Sequence, residues 1–256
     1  MFVHGQQESL SRPRHMLKRT PLFEAHRRLG GRLVEFGGWE MPVQYTGIID
    51  EHLCVRRAAG IFDISHMGEV LVSGPSAAAF LNQTLTNDVR NLAVGQGQYT
   101  LMCNERGGVI DDLYLYRTDT TGYLLIINAS RIEADVAWLG SRWANWKLLD
   151  ADSLSNVSDK AAAVAIQGPQ TPGLVDQLFV ESSGGGTLVA KPSELKKNQL
   201  GRFRFEGECV WVAHAHGAED RSEGALPATT EVIHRTPSSG IQWPHRHRKN
   251  DRRNCG

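Results

Sequence analysis

Three apolar runs follow one another in the middle of the chain and restrict its fold more than any other feature. They are QYTLMC, VIDDLYLYR and YLLIIN, and they are separated by NERGG and TDTTG. Both separators have compositions typical of tight turns, so the runs predict an antiparallel β-meander. Such a meander needs helices on one face to complete a core, which favours an α+β architecture over a doubly wound parallel sheet.

A weak internal repeat adds a second constraint on the fold. The segments EVLVSGPSAAAFLNQTL and AVAIQGPQTPGLVDQLF both pass from a strand pattern through Gly-Pro to a helical pattern. Gly74 and Gly168 hold matching places in the two segments. The repeat predicts two related strand–loop–helix units. Because Gly-Pro is also a common strand terminator, chance similarity is the alternative.

Length and charge limit the classes of function. A chain of 256 residues can fold as one large domain or two modest ones. Its 28 Lys and Arg balance 28 Asp and Glu, so no overall field attracts nucleic acid or an anionic membrane surface. No apolar run approaches the roughly 20 residues of a membrane-spanning helix. These features predict a soluble protein whose partner is a small molecule or another protein.

The cysteines indicate the redox compartment. Cys54, Cys103, Cys209 and Cys255 form no C-x-x-C pair and have no metal-site spacing. Neither a disulfide framework nor a zinc site is therefore predicted. This usage is typical of a reducing compartment. The expected location is the bacterial cytoplasm, or the mitochondrial matrix if the source is eukaryotic.

Composition divides the chain into three segments. Residues 1–15 have no signal-peptide core and are predicted to be a disordered arm, while Met16 opens a segment of different character. From His214 to Gly256 only ten of 43 residues are apolar, against 41% for the whole chain. A stretch this polar cannot bury a core, so 214–256 is predicted to be disordered. The expected domain is 16–213.

The polar tail also has an unusual histidine content. It holds five of the ten histidines and the basic run HRHRKNDRR. A metal-binding or nucleic-acid-binding tail is one interpretation. The irregular histidine spacing does not match the ligand spacing of a tetrahedral metal site, and one short basic cluster attracts nucleic acid only weakly. No metal site is predicted.

The pair Asp111-Asp112 is the most chemically suggestive feature. In a strand reading of VIDDLYLY, Asp111 shares one face with Val109, Leu113 and Leu115 because side chains alternate. A buried carboxylate without a partner costs several kcal/mol, so a strand tolerates it only beside a donor or ligand. The alternative is a strand that begins after the turn, with both carboxylates solvated.

Other single residues carry weaker signals. His66 forms no triad by spacing, and a hydrogen-bonded structural histidine is the simpler interpretation. Tyr99 begins a strand and can stack on a planar ligand, although strand aromatics usually pack. Arg131 can bind a carboxylate, but surface arginines are commoner. Met67 is more often core filler than a ligand contact.

Eight segments, taken in order, carry a family resemblance. They are TPLFEAH, FGGWEMPVQY, DEH, FDISHMGEV, LTNDV, QYTLMCNERGGVIDDLYLY, INAS and AIQGP. Any one of them alone is a weak signal, but their order and density are specific. From about Met16 to Ala213 the chain resembles the glycine cleavage T proteins. The resemblance implies a tetrahydrofolate-binding α+β domain of that type.

The resemblance also implies a reaction. In this family an aminomethyl group on the lipoyl arm of H protein gives its methylene to tetrahydrofolate, and ammonia is released. The products are 5,10-methylenetetrahydrofolate and dihydrolipoyl H protein. The family's G-G-x-x-D-D aspartate lies beside the pteridine, and Asp111 matches it here. A carboxylate there can orient the folate and stabilise positive charge on its nitrogens.

Further site residues follow from the same resemblance. Tyr99 and Leu101 correspond to the wall of the pterin pocket, and Met67 to part of the folate cavity. Asn128 and Arg131 are expected near that cavity. No metal or redox cofactor is implied, and the expected partners are a folate and lipoylated H protein, with no nucleic acid and no membrane.

The chain departs from the family after VWVA. Relatives continue with a segment of the type T-G-Y-T-G-E, whose Tyr and Glu contact the pterin, whereas this chain reads HAHGAEDRSEGALPATT. We hypothesise a reading-frame change near residue 214. On this hypothesis the later folate-binding residues and the family's C-terminal β-barrel are absent, and the truncated chain is expected to have little or no activity.

Two other functions stay open. One is a non-catalytic folate-binding relative that assists iron–sulfur protein assembly, although its Lys-Gly-Cys motif is not found. The other is a folate-dependent demethylation partner, as in sarcosine- and dimethylglycine-oxidising enzymes. Those are normally fused to a flavin domain, and the chain has no dinucleotide-binding glycine fingerprint.

Overall fold

A computed structural model describes residues 16–146, 149–215 and 229–235 of the chain. The helices are α1 (Phe23–Arg28), α2 (Ile48–Arg57), α3 (Ala77–Thr84), α4 (Ile132–Ala144) and α5 (Thr171–Leu178), with short 3-10 turns at Val89–Asn91, Ser158–Lys160 and Pro192–Glu194. The strands are β1 (Arg32–Phe36), β2 (Trp39–Gln44), β3 (Gly60–Asp63), β4 (Gly68–Ser73), β5 (Gly97–Cys103), β6 (Val109–Arg117), β7 (Gly122–Ile127), β8 (Ser153–Asn156), β9 (Ala161–Gln167), β10 (Val180–Gly186), β11 (Gln199–Phe205), β12 (Glu208–Ala215) and β13 (Thr229–Arg235).

The strands form three antiparallel sheets. β1 and β2 make a two-stranded hairpin, and the five-stranded sheet has the order β5-β6-β7-β4-β8. The six-stranded sheet has the order β10-β11-β12-β13-β9-β3. The meander β5-β6-β7 is the one that the three apolar runs predict, and the α+β class is confirmed. Among the described residues, neither large sheet closes into a barrel.

The two large sheets pack face to face with helices outside them. One face of the five-stranded sheet buries Val70, Leu113 and Leu125 against Phe80 of α3 and Leu139 of α4. The outer face of the six-stranded sheet packs on α5. Between the sheets, apolar residues from β7, β9 and β13 meet. The result is four layers, helix–sheet–sheet–helix, held mainly by burial of apolar side chains.

The internal repeat corresponds to two structural units. β4 runs through Gly74 into α3, and β9 runs through Gly168 into α5. Both glycines have positive φ, 118° and 128°. A Cβ on Gly74 would lie 2.6 Å from the Asp152 Cα, and one on Gly168 would lie 2.5 Å from the Ala58 carbonyl oxygen. Glycine is therefore required at both places by conformation and by close backbone approach.

The segment predicted to be disordered contains a strand. β13 lies between β12 and β9, pairing Val232 with Val212 on one side and with Val164 on the other. His214 and Ala215 also continue β12 beyond the predicted boundary. The prediction for 214–256 is therefore wrong at 214–215 and at 229–235. Overall polarity hides a local alternation that two neighbouring strands can stabilise. Residues 216–228, 236–256 and the predicted arm at 1–15 lie outside the described residues.

Candidate functional site

Asp111 lies on the buried face of β6. The preceding turn is ordered by Asn104, whose side-chain oxygen accepts hydrogen bonds from the main-chain N–H groups of Arg106 and Gly108 at 2.9 and 3.0 Å. Asp111 is 9% exposed and shares its face with Leu113 and Leu115, as the two-residue period predicts. The alternative of two solvated carboxylates therefore fails for Asp111, whereas Asp112 is exposed.

Asn128 and Arg131 fix the start of β6 from the end of β7. The Asn128 amide nitrogen donates to Asp111 Oδ1 at 3.1 Å and to the Asp112 carbonyl oxygen at 2.9 Å. An Arg131 guanidinium nitrogen donates to the Ile110 carbonyl oxygen at 3.3 Å. Asn128 thus holds the Asp111 carboxylate and Arg131 holds the main chain one residue before it, because the β6–β7 pairing ends beside them.

Tyr99 and Leu101 lie on the other face of the same sheet. On β5, Leu101 is paired with Asp112 and its neighbour Met102 with Asp111. Tyr99 is 54% exposed and its hydroxyl is hydrogen-bonded to the Asp112 carboxylate. Desolvation, followed by this bond and the charges of both aspartates, raises the pKa of Tyr99. At this end of the sheet, Asp111 therefore lies on one face, and Tyr99 and Leu101 lie on the other.

Met67 belongs to the same end of the sheet but to another strand. It immediately precedes β4, and its N–H donates to the Ile64 carbonyl oxygen at 3.0 Å. The next residue, Gly68, pairs with Ile127, the residue before Asn128. Met67 is therefore near Asn128 along the backbone ladder.

A second carboxyl group at this corner escaped the sequence analysis. Asp135 on α4 is 0% exposed and neighbours the Asp111 carboxyl group. Burial, and after it the hydrogen bond and charge of Asp111, raise the pKa of Asp135 to about 7, while Arg131 acts in the opposite direction. A signal was available, because Ile132, Asp135 and Leu139 follow helical spacing and place an acid on the apolar stripe.

A separate interlayer cavity of about 340 Å³ lies between the two large sheets. Its walls include Glu69, Leu71, Arg202 and Trp211, and none of the six predicted site residues lines it. Glu69 is 1% exposed, and burial raises its pKa to about 8. The Arg202 guanidinium lies 5.7 Å from the Trp211 ring centroid. Sequence pattern alone did not identify this cavity, because its residues come from strands far apart in the chain.

Two histidines, His66 and His26, make structural contacts. His66 packs edge-on against Phe36 at 5.7 Å, and burial lowers its pKa while the charge of Asp63 opposes this. His26 contacts the Asp63 carboxylate and the Tyr45 hydroxyl, both at 2.8 Å. Although burial alone would raise it, the pKa of Asp63 is lowered by hydrogen bonds, the largest from His26. This network joins α1 to β3.

Two further observations concern the described residues as a set. Within 16–146, 149–215 and 229–235, no group of three or more His, Cys, Asp or Glu side chains is placed to hold a metal ion. In those same ranges, every helix is too short or too polar to cross a membrane.

The part of the chain that contains the candidate site is similar to known proteins. Residues 22–187 match the family of GCVT N-terminal domains. The aminomethyltransferases of Bacillus cytotoxicus and Bacillus cereus (strain ZK / E33L) are each 48% identical to the chain over 165 residues. That match covers 64% of this chain and 44% of each relative, so the chain spans less than half the length of these curated relatives.

A solved structure is similar to this chain in fold. The crystal structure of glycine cleavage system aminomethyltransferase T from Bartonella henselae is 31% identical and superimposes with a TM-score of 0.68. The match covers 85% of this chain and 53% of that one. All six predicted site residues fall within the matched family range of 22–187.

Proposed function

This chain belongs to the family of GCVT N-terminal domains, and from that membership we propose that it carries the tetrahydrofolate-binding part of an aminomethyltransferase. The observation that carries the proposal is the buried Asp111 carboxylate, held by Asn128 at the sheet corner. The proposed reaction moves the methylene of an aminomethyl group on lipoyl H protein to tetrahydrofolate. Ammonia and dihydrolipoyl H protein are released, and 5,10-methylenetetrahydrofolate forms.

The residues at the corner fit a folate amine. A carboxylate can accept about four hydrogen bonds, and the Asn128 bond uses one position on Asp111. Acceptor capacity therefore remains for an N–H of a bound folate. Tyr99 lies on the opposite face of the sheet from Asp111, so its half-exposed ring would stack on a part of the ligand other than the group that meets Asp111. Tetrahydrofolate would supply the two nitrogens that receive the methylene.

The chain's own residues then have separable roles. Asp111 would stabilise the positive charge that develops on a folate nitrogen, since a fixed charge in a dry site costs no reorganisation. Asn128 would keep that carboxylate in place, and Arg131 would hold the backbone of β6. Of the two hydrogens lost by the folate amines, one leaves with ammonia and one is retained on the lipoyl sulfur, so the reaction balances.

The proposal includes partners and a location. The aminomethyl donor is lipoylated H protein, as the name of the Bartonella henselae relative, from the glycine cleavage system, supports. Both curated relatives come from bacteria, and we propose the bacterial cytoplasm as the location. Residues 16–213 are proposed as the folate-binding part.

The test uses the 256-residue chain and two asparagine variants. Tetrahydrofolate binding is measured by calorimetry, and methylene transfer is measured with aminomethylated H protein. We expect Asp111→Asn to weaken tetrahydrofolate binding and to lower the transfer rate, where the unaltered chain has one, by about 100-fold or more. Asp159→Asn is the matched control, because Asp159 is exposed on the turn before β9.

The two readouts separate the outcomes. Folate binding that depends on Asp111, without transfer, would favour a non-catalytic folate-binding protein or a chain disabled after residue 213. No detectable folate binding by the unaltered chain, or equal binding and transfer by Asp111→Asn, would overturn the proposal.

A further inference from the structure

Asp135 occupies a place in α4 where an apolar side chain is expected. It lies in the first turn, where its N–H donates to the Arg131 carbonyl oxygen at 2.9 Å. Its neighbours on the same helical stripe, Ile132 and Leu139, belong to the core beneath the five-stranded sheet. A carboxyl group is costly in such a position unless its oxygens find donors.

The oxygens of Asp135 have no such donors among the described residues. Neither Oδ1 nor Oδ2 of Asp135 receives a hydrogen bond from an N–H or O–H group there, and the same is true of Asp111 Oδ2. Asp111 Oδ1 differs, because it accepts the Asn128 amide. The unpartnered oxygens of the two aspartates belong to neighbouring buried carboxyl groups, and the presence of Asp111 contributes to the raised pKa of Asp135. We call Asp111 and Asp135 the carboxyl pair.

Two buried carboxyl groups in contact cannot both be ionised without a large repulsion, so the pair retains one proton. Asp135 is the more deeply buried member and its oxygens receive no hydrogen bond, whereas Asp111 Oδ1 accepts the Asn128 amide. The proton therefore belongs mainly to Asp135.

The charged groups around Asp135 agree with this assignment. The charges that act on it come from Asp111 on β6 and Arg131 at the start of α4. α3 and β8, which pack against α4, carry no titratable side chains. Burial raises the pKa of Asp135 to about 7, so the proton is retained up to neutral pH.

We infer that Asp135 is a positioning residue of the candidate site: it donates its proton to Asp111 Oδ2 and, with Asn128 on Oδ1, holds the Asp111 carboxylate in one orientation. The role in catalysis rests on the proposed function, whereas the shared proton does not. When pH rises above about 7, Asp135 ionises, the O–H···O bond is lost, and Asp111 loses one of its two supports.

The first measurement follows the carboxyl groups directly. The full chain is labelled with ¹³C at the aspartate carboxyl carbons, and NMR spectra are recorded from pH 4 to 9. We expect one carboxyl to titrate near pH 7 and to be absent from Asp135→Asn. In Asp111→Asn its midpoint should shift to lower pH, because the neighbouring negative charge is gone. A midpoint for Asp135 at its ordinary value near 4 would overturn the inference.

The second measurement separates positioning from folding. Asp135→Asn keeps an N–H donor for Asp111 Oδ2 but cannot ionise, so it should retain transfer activity and lose the decline above pH 7. Asp135→Leu has no donor and should lower kcat by about 10- to 100-fold with a smaller change in the KM for folate. Glu133→Gln, on the exposed face of the same turn, should match the unaltered chain.

The outcomes distinguish this inference from the proposed function. Equal activities and pH profiles for the asparagine and leucine variants would overturn it. If Asp111→Asn leaves transfer unchanged but shifts the Asp135 titration, the proposed function fails while the shared proton stands. If the leucine variant does not fold, the titration and the pH profile of Asp135→Asn still decide.

Discussion

The two large sheets repeat one chain path but complete it with strands of very different sequence. In the first unit, β4 leads into α3, the meander β5-β6-β7 follows, and β7 pairs with β4. In the second unit, β9 leads into α5, and the meander β11-β12-β13 ends with β13 paired to β9. β7 and β13 therefore hold equivalent places, although β7 reads GYLLII and β13 reads TTEVIHR.

The difference shows that a central strand does not require an apolar sequence. β13 buries only two described apolar side chains, Val232 at 4% exposure and Ile233 at 5%, one on each face of the sheet. Its neighbours β12 and β9 supply hydrogen-bonding partners on both edges. A short alternating segment placed between two formed strands can thus complete the sheet.

The units differ in chemistry as well. In the first unit, β7 runs directly into Asn128, Arg131 and Asp135, the residues that surround Asp111. The residues that follow β13 in the second unit lie outside the described ranges. Among the described residues, the candidate site is built from the first unit and the helix that follows its last strand.

The largest effect on stability is expected when one large core side chain is removed from each unit. Phe80 and Phe203 are both 0% exposed, and they lie in the cores on the outer faces of the first and second sheets. We expect Phe80→Ala and Phe203→Ala each to lower the free energy of unfolding by about 3–5 kcal/mol. Urea unfolding followed by circular dichroism measures both changes.

The pair of variants also tests whether the units unfold together. If they form one cooperative structure, both variants should give a single transition with similar losses. A loss for Phe203→Ala below about 1 kcal/mol, beside a full loss for Phe80→Ala, would show that the second sheet is not packed as described.

Local patterns predicted the parts of the fold that are close in sequence. The apolar runs with turn residues between them predicted β5, β6 and β7, and the Gly-Pro repeat predicted two strand–helix units. The insertion of β13 between β12 and β9 was not predictable in this way. Pairing between β13 and β9 joins residues far apart in the chain, and no local period encodes such a contact.

The site was predictable to a similar degree. Alternation in β6 predicts Asp111 on a buried face, and the family resemblance predicts Asn128 and Arg131 near the site. Asn128 contacts the Asp111 carboxylate, and Arg131 contacts the main chain of β6. Asp135 was missed because a single acid in an amphipathic helix is readily assigned to its polar face. Its burial depends on how α4 docks on the sheet, and docking is a tertiary property.

A smaller effect is expected when the hydrogen bonding of β13 is broken. Val232→Pro removes an N–H from a strand that is paired on both sides, and we expect a loss of about 3 kcal/mol. Val232→Ala is the matched control, because it keeps the N–H and loses only burial, about 2 kcal/mol. The variants are compared by urea unfolding, and amide hydrogen exchange is measured at Val232 and Ile233.

Equal stability of the unaltered chain and Val232→Pro, together with unprotected amides at Val232 and Ile233, would show that the sheet does not need this strand.

The hypothesis of a reading-frame change near residue 214 stays a prediction, and sequencing the coding DNA across 205–225 tests it. A one-base correction that restored a Tyr-Thr-Gly-Glu continuation would support it.

The smallest effect concerns an acid buried where the two sheets meet. Burial raises the pKa of Glu69 to about 8, so between pH about 4.5 and 8 the folded chain holds a proton that the unfolded chain releases. Stability therefore falls as pH rises through this window. Glu69→Gln cannot ionise, and at pH 9 we expect it to be more stable than the unaltered chain by about 1–3 kcal/mol.

The difference between the two proteins should be small at pH 4, where Glu69 is neutral in both the folded and unfolded chain, and should grow up to pH 9. Glu231 on β13 is the comparable acid of the second unit. It lies on the other side of the interface between the two sheets, and burial also raises its pKa. Glu231→Gln should change the pH dependence in the same direction, whereas the exposed Glu181→Gln should leave it unchanged. Parallel stability curves for Glu69→Gln and the unaltered chain from pH 4 to 9 would mean that Glu69 ionises freely, and that water reaches it through the interlayer cavity.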